Sequence, residues 1–277
     1  MSVGLFQTKE YGEIFAKNFC DPKNIIDGIW EIYEDKLVLL GMKPVLPHFA
    51  EASRGEGGQE VTDYAKTDIK QLPTGYKKIQ LDYVREDSET YTHFAKSFAR
   101  VTKQEVSPYI ELPSSWEEYL GGLERKYRKE LKRKFKRLGE TEYQVVTEKN
   151  IDEFVRLHRL SDPAKNKFMS EPMAKFFKDV VEAKIPGWKV SLNFLKIEDK
   201  YAAGIMSFEN QDEWWLYNSG YGPEFSFYSV GLLLKALSIK QAIEAGKKKY
   251  DFLRGSERYK YELGGKNLQL YKIEIEL

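Results

Sequence analysis

The feature that most restricts the fold of this chain lies between Lys189 and Ser219. Three runs rich in β-branched and aromatic residues, Lys189–Glu198, Tyr201–Glu209 and Glu213–Ser219, are joined by Glu198-Asp199-Lys200 and Asn210-Gln211-Asp212. Connections this short allow only antiparallel neighbours, because a parallel pair needs a crossover of a dozen residues or more. The stretch therefore predicts an antiparallel meander. Gly220-Tyr221-Gly222-Pro223 releases its last strand, and a helix enters over Ser226 to Gly231 and runs to Ala245. Leu232, Leu233, Ala236, Leu237, Ile239 and Ile243 bury that helix, and Gly246 stops it. A short buried strand, Tyr250 to Leu253, follows and breaks at Gly255.

Upstream of the meander, Ser115 and Glu118 form a capping box, and Trp116, Tyr119, Leu120, Leu123, Tyr127, Leu131, Phe135 and Leu138 recur every three or four residues. This predicts one helix carrying a buried stripe. Between Arg125 and Arg137 it holds nine lysines and arginines against one glutamate. A strand over Tyr143–Thr147 and a helix from Ile151 follow; Asp162-Pro163 breaks that helix, and Ser170-Glu171-Pro172 starts the next. The first part of the chain reads as α+β: a helix around Lys9–Asn18, a hairpin of Asp27–Tyr33 with Lys36–Met42, a loop over Pro44, Pro47 and Gly55–Gly58, a strand over Lys77–Val84, a helix over Glu86–Phe98 and an extended segment Val106–Leu112.

Composition narrows the function classes. A chain of 277 residues can bury a sizeable core unaided. Forty-four basic and forty-three acidic side chains leave almost no net field, so any attraction to nucleic acid or membrane has to be local. One cysteine, Cys20, excludes an intrachain disulfide framework and fits a reducing cytoplasm. MSVGLFQTKE has no leader pattern, and the apolar run Leu37–Leu40 is far too short to span a bilayer, so a cytoplasmic protein is expected. His48, His93 and His158 stand in no metal-binding spacing, and no metal is expected. His158 reads as a half-buried packing residue. No Walker loop, G-x-G-x-x-G or G-x-S-x-G elbow is present.

Two places carry chemistry. Within Lys249–Gly265 the break at Gly255 gathers acid, base, hydroxyl and phenol: Asp251, Ser256, Glu257, Arg258, Tyr259 and Lys260. A group of this kind can accept a proton or hold an amine. A surface turn with ordinary charges is the plain alternative. At the helix start, Ser229-Val230-Gly231 offers a hydroxyl and unpaired amides to an anion, and glycine lets that anion come close.

Ser107–Leu120, the basic helix, Tyr217-Asn218-Ser219-Gly220, Ser229-Val230-Gly231 and Asp251–Lys260 together resemble the CelD/BioF-like group of GNAT acyltransferases, relatives of the FemABX aminoacyltransferases. The resemblance covers about Ser107 to Leu277. It implies an α+β chain of tandem GNAT-like folds, each a mixed, mainly antiparallel sheet flanked by helices, with a long basic helix between the halves. Residues 1–113 would be a degenerate GNAT-like domain and 114–277 the acyltransferase domain. The recurrence of Glu34-Asp35-Lys36 as Glu198-Asp199-Lys200, each at a hairpin turn, agrees with a repeat.

The activity implied is transfer of an acetyl or other acyl group from acyl-CoA, acetyl-CoA foremost, to an amine or hydroxyl of a small molecule, sugar or glycan. The resemblance puts the donor's pyrophosphate at Tyr228, Ser229, Val230 and Gly231 and its pantetheine arm along Tyr217, Asn218 and Ser219. Glu257 is then the first choice of base and Asp251 the second, with Tyr259 protonating the leaving thiolate and Lys260 holding an anionic part of acceptor or donor. Relatives usually carry Ser-Pro-Gly where this chain has Ser229-Val230-Gly231, which loosens the helix start. The basic face 125–137 would meet a coenzyme, a carrier protein or a transfer RNA. An aminoacyl-tRNA-dependent transferase of FemABX type is the alternative, and a binding protein with a decayed site is a third reading.

Overall fold

The computed structural model describes residues 78–88, 91–92, 95–96, 99–182 and 188–276, together with the strand segments 3–8, 13–18, 29–33 and 36–41. Contacts divide the chain into two units, Met1–Ser107 with Lys184–Pro186 and Leu268–Leu277, and Pro108–Ala183 with Gly187–Asn267.

In the first unit, β1 (Val3–Thr8) and β2 (Glu13–Asn18) pair antiparallel, Val3 facing Asn18. This corrects the helix expected over Lys9–Asn18. The apolar run Ile14-Phe15-Ala16 is too short for its period to tell helix from strand, and the cross-strand partners Phe6 and Leu5 decide it. β3 (Ile29–Tyr33) and β4 (Lys36–Gly41) form the predicted hairpin. β4 runs parallel to β5 (Lys78–Arg85), which pairs antiparallel with the last strand of the chain. Among the described residues of the helix expected over Glu86–Phe98, Tyr91 and Thr92 are helical, and residues 86–88 and 95–96 are turn or bend. Residues 89–90, 93–94 and 97–98 and the loop 44–58 lie outside the described residues.

The second unit takes in the end of β6 (Arg100–Glu111), then α1 (Trp116–Gly122), α2 (Arg125–Leu138), β7 (Tyr143–Thr147), α3 (Ile151–Ser161), α4 (Pro163–Phe168) and α5 (Glu171–Glu182). After these come β8 (Lys189–Ile197), β9 (Lys200–Glu209) and β10 (Glu213–Tyr221), a 3-10 turn (Pro223–Tyr228), α6 (Val230–Glu244), β11 (Lys249–Asp251) and α7 (Arg258–Glu262), and the last strand, β12 (Lys266–Glu276), belongs to the first unit from Leu268 onward. The meander is as predicted, with β9 between β8 and β10 and antiparallel to both. Glu198 and Asp199 both have positive φ, 47° and 62°, the turn geometry whose twist matches a two-residue hairpin. β11 lies parallel to β10 and antiparallel to the end of β6, so the strand order of this unit is β6-β11-β10-β9-β8-β7.

Ser115 caps α1 as expected, its Oγ accepting from the Glu118 amide at 3.1 Å, while the Glu118 carboxylate reaches back to the Ser114 amide at 3.2 Å in place of the Ser115 amide of a full capping box. The single helix predicted from Ser115 to Leu138 is nevertheless two. Leu123 and Glu124 are extended, with ψ of 146° and 139°. Gly121-Gly122 is the weakest helical dipeptide in the run, and Arg128 steadies the break by donating to Gly121 O at 2.7 Å. The apolar stripe survives because Tyr119, Leu123, Leu131 and Leu138 all enter the same core.

α6 is the central helix of that core. Leu233, Leu234, Ala236, Ile239 and Ala242 are fully buried, and each large aliphatic side chain contributes about 1.5–3 kcal/mol on burial. Among the described residues no helix is long and apolar enough to cross a membrane.

Candidate active site

The site starts with a strand pair that separates. β10 and β11 stay in parallel register for three residues, Glu213–Trp215 against Lys249–Asp251. β11 then stops and turns towards β6, where the Phe252 amide donates to Pro108 O at 2.9 Å. β10 runs on to Tyr221, still paired with β9 on its other side. The register with β9 slips between Leu216 and Asn218, leaving Tyr217 as a bulged residue. From Leu216 to Tyr221 one edge of β10 therefore has no strand beside it in the described pairing.

The residues expected along a pantetheine arm sit on that segment. The Tyr217 ring packs between Phe177 and Phe208 at 5.6 and 5.2 Å. Asn218 Oδ1 accepts from the Ser219 amide at 2.8 Å and lies 3.0 Å from His158 Nε2. Ser219 O accepts from Lys165 Nζ at 2.6 Å.

His158, expected to be half-buried, is 1% exposed. Because Asn218 Oδ1 already accepts a hydrogen bond, His158 Nε2 carries the proton. Burial, with the Lys165 ammonium adding to it, pushes the imidazole pKa down to about 4, so the ring is neutral. α3 can lie this close because of Gly220: a Cβ there would fall 2.3 Å from the His158 backbone nitrogen.

The start of α6 differs from the sequence reading in detail. A 3-10 turn precedes it, and Ser229 links the two in the left-handed conformation, φ 57°. The Ser229 hydroxyl caps no backbone amide and instead accepts from Lys134 Nζ of α2 at 2.8 Å. Gly231, expected to admit an anion, lies beside the Tyr221 ring, 3.4 Å from where its Cβ would stand. Val230 is 1% exposed and anchors the turn in the core, where the half-buried Tyr228 also packs. The first amides of any helix have no intrahelical partner, and with Lys134 beside them they make this end electropositive. Arg137 adds to it by donating to Phe227 O at 2.8 Å and stacking 4.5 Å from the exposed Phe227 ring.

The turn after β11 brings the expected catalytic residues together. Asp251 is fully buried, and its Oδ1 accepts from the Leu253 amide at 2.8 Å, holding Leu253 at φ 58°. Gly255 then takes φ 103°, and the Glu257 carboxylate folds back over it. A Cβ on Gly255 would lie 2.6 Å from Glu257 Oε2. Glu257 remains more than half exposed and pairs with Lys260 Nζ at 2.9 Å. Lys260 is 1% exposed and also donates to the carbonyls of Leu253, Arg254 and Gly255 at 2.9, 2.6 and 3.0 Å. Burial, reinforced by the Glu257 charge, raises the Tyr259 phenol well above its ordinary value, so it stays protonated at any physiological pH.

Two further lysines reach this region. Lys235, one turn into α6, is 8% exposed, with its ammonium 4.7 Å from the centre of the Tyr259 ring. Lys165 of α4 and Lys235 each sense Glu257, and Lys235 also senses the Lys165 charge. The sequence signal for Lys235 is a lone cation in the apolar run Leu232-Leu233-Leu234-Lys235-Ala236-Leu237. Lys165 and Lys134 carry no such signal, since both sit in ordinary basic stretches. Among the described residues no three His, Cys, Asp or Glu side chains gather as a metal site.

Residues 125–261 match the family model described as an acetyltransferase (GNAT) domain. The chain carries a GNAT domain. The domain spans α2 to α7 and so contains both the strand separation and the turn that carries Glu257. Solved structures share the fold over nearly the whole chain. FemX matches with a TM-score of 0.64 at 10% identity, covering 100% of this chain and 89% of that one. The L-PGS structure from Bacillus licheniformis matches with a TM-score of 0.57 at 12% identity, over 98% and 83% of the two chains. The C-terminal domain of a putative lysylphosphatidylglycerol synthetase from Agrobacterium fabrum matches with a TM-score of 0.58 at 9% identity, over 99% and 83%. No curated protein matches. The mixed, mainly antiparallel sheet flanked by helices is thus the GNAT fold, as the resemblance implied, and its solved neighbours include FemX.

Proposed function

We propose that this GNAT protein is an acyltransferase that moves an acetyl or other acyl group from acyl-CoA to an amine or hydroxyl of a small molecule, sugar or glycan. The observation that carries the reading is the unpaired edge of β10 between the electropositive start of α6 and the turn that delivers Glu257. An extended amide-bearing arm can pair with such an edge as an added strand does. The amides at Val230 and Gly231, with Lys134, suit the phosphates of the same donor. These residues fit a coenzyme A thioester, which supplies an activated carbonyl and a sulfur leaving group.

In this reading Glu257 takes the proton of the attacking amine or hydroxyl, directly or through one water, as the new bond forms at the thioester carbon and the carbon–sulfur bond breaks. Its contact with Lys260 orients the carboxylate. Tyr259, with its phenol held protonated, suits hydrogen-bond donation to the departing sulfur. Asp251, committed to the Leu253 amide, acts in this scheme by fixing the turn. The smaller unit, from Met1 onward, completes the tandem arrangement as a degenerate GNAT-like copy.

Glu257→Gln tests the scheme. It should lower turnover at least tenfold while leaving coenzyme A binding intact, and unchanged turnover would remove Glu257 from the mechanism.

A second reading has an observation of its own. The outward face of α2 carries charges such as Lys126, two-thirds exposed, and Arg133, half exposed, which suit a carrier protein or a transfer RNA. Thermal stabilisation by charged transfer RNA and none by acyl-CoA would replace the first reading with an aminoacyl-tRNA-dependent transfer.

A further inference from the structure

Lys165 meets the unpaired edge of β10, and Lys235, at the start of α6 and beside the Tyr259 ring, senses the Lys165 charge. Lys165 reaches from α4 to Ser219 O at 2.6 Å. Lys235 folds back along α6 to Gly231 O at 3.1 Å, as long helical side chains do. An ammonium has three N–H donors, and each of these lysines has one hydrogen-bonded acceptor among the described residues. The carboxylate both sense, Glu257, is bridged to Lys260 at 2.9 Å. Lys260 is itself met by three carbonyls. Asp162, the other carboxylate that acts on Lys165, is exposed and accepts from the Ala164 amide at 2.7 Å. Lys165 and Lys235 therefore each have two of their three N–H donors without an acceptor among the described residues.

A buried charge is costly, and the buried Lys235 with the half-buried Lys165 near it is the kind of arrangement that marks a functional site where a ligand brings the counter-charge. We propose that Lys165 and Lys235 form a carboxylate-binding site, so that one of the two reactants, the acyl group or the acceptor, carries a carboxylate beside its reacting atom. The inference rests on the acyl-transfer reading for the words acyl and acceptor; the anion site itself does not. Burial first, and Lys165 next, push Lys235 down to about 7. The groups facing Lys235 are Lys165 of α4 and Glu257, Tyr259 and Lys260 of the α7 turn.

The test is calorimetric titration of the full chain with succinate and with its neutral diamide, using wild type, Lys165→Met and Lys235→Met. Succinate is expected to bind at least tenfold more tightly than the diamide and to lose that margin in both variants. Binding at pH 8 should also take up protons, seen as a heat that depends on the ionisation enthalpy of the buffer, and this uptake should vanish in Lys235→Met. Equal affinity for succinate and diamide, or succinate affinity unchanged in both variants, overturns the inference. A second pair of titrations separates the sources. Preference for succinyl-CoA over acetyl-CoA places the carboxylate on the acyl group, and preference for an amino acid over its amide places it on the acceptor. Succinate binding without any coenzyme A binding would refute the acyl-CoA reading while upholding the site.

Discussion

Replacing Lys235 with methionine should make the empty protein more stable and flatten its response to pH. The side chain is 8% exposed, and its ammonium is pushed from 10.5 down to about 7, chiefly by burial. Each pKa unit corresponds to about 1.4 kcal/mol, so the shift sets an upper bound of about 5 kcal/mol on the cost of keeping the charge buried. The sign follows from proton counting. Below pH 7 the lysine is protonated in both folded and unfolded chains, and the cost is fully present. Between pH 7 and about 10.4 the unfolded chain binds the extra proton, so the stability of the wild type climbs as pH rises. Methionine has a similar length and no charge, and it gives up one hydrogen bond and a cation–π contact, together about 1–2 kcal/mol. The net expectation is a variant about 2–3 kcal/mol more stable at pH 6.5, an advantage that shrinks by about 2 kcal/mol by pH 9. Urea unfolding at several pH values measures this, and all other titrating groups cancel in the difference between the two proteins. Stability profiles that run parallel from pH 6.5 to 9 would show that Lys235 does not change its protonation in that range. A variant less stable than wild type throughout would mean that the ammonium is satisfied where it lies.

Gly220→Ala should lower stability by about 3 kcal/mol or more, because its Cβ would sit 2.3 Å from a backbone atom of α3 that no side-chain rotation can move; thermal unfolding reads this directly. Gly255→Ala meets both a positive φ of 103° and the Glu257 carboxylate, so it should cost about 1–3 kcal/mol and reduce turnover as strongly as Glu257→Gln. His158, depressed to about 4 by burial, contributes a loss of stability as pH falls from about 6.5 to 4, because the unfolded chain takes up its proton first. His158→Gln should flatten the acid limb of the unfolding profile in that window, as followed by circular dichroism.

The parts of the fold that the sequence displays are those fixed by local rules. The β8–β10 meander follows from two short polar turns, the α3–α4 break from Asp162-Pro163, and the start of α1 from its Ser115 cap. Where the outcome depends on partners distant in sequence, the reading fails. Glu13–Asn18 is a strand because Val3–Thr8 lies beside it, and α1 and α2 separate at Gly121-Gly122 although one stripe runs through both. The site divides the same way. Asp251, Glu257, Tyr259 and Lys260 occupy one short turn and are visible together, but the roles open to them depend on their surroundings. Full burial and the Leu253 amide engage Asp251, whereas Glu257 keeps an exposed face because Gly255 lets it fold back.

Lys134, Lys165 and Lys235 come from three different helices, and only the tertiary fold brings them to one region. Burial then gives them unequal character. Lys134 keeps a carboxylate partner in Glu130 at 3.3 Å, while Lys165 and Lys235 are drawn down by desolvation and Lys235 also by the Lys165 charge. An anion arriving between the latter two would restore the charge on Lys235 and remove the penalty that the empty protein carries. Ligand affinity and intrinsic stability are therefore opposed at this position: the substitution that stabilises the empty chain should be the one that abolishes carboxylate-linked proton uptake.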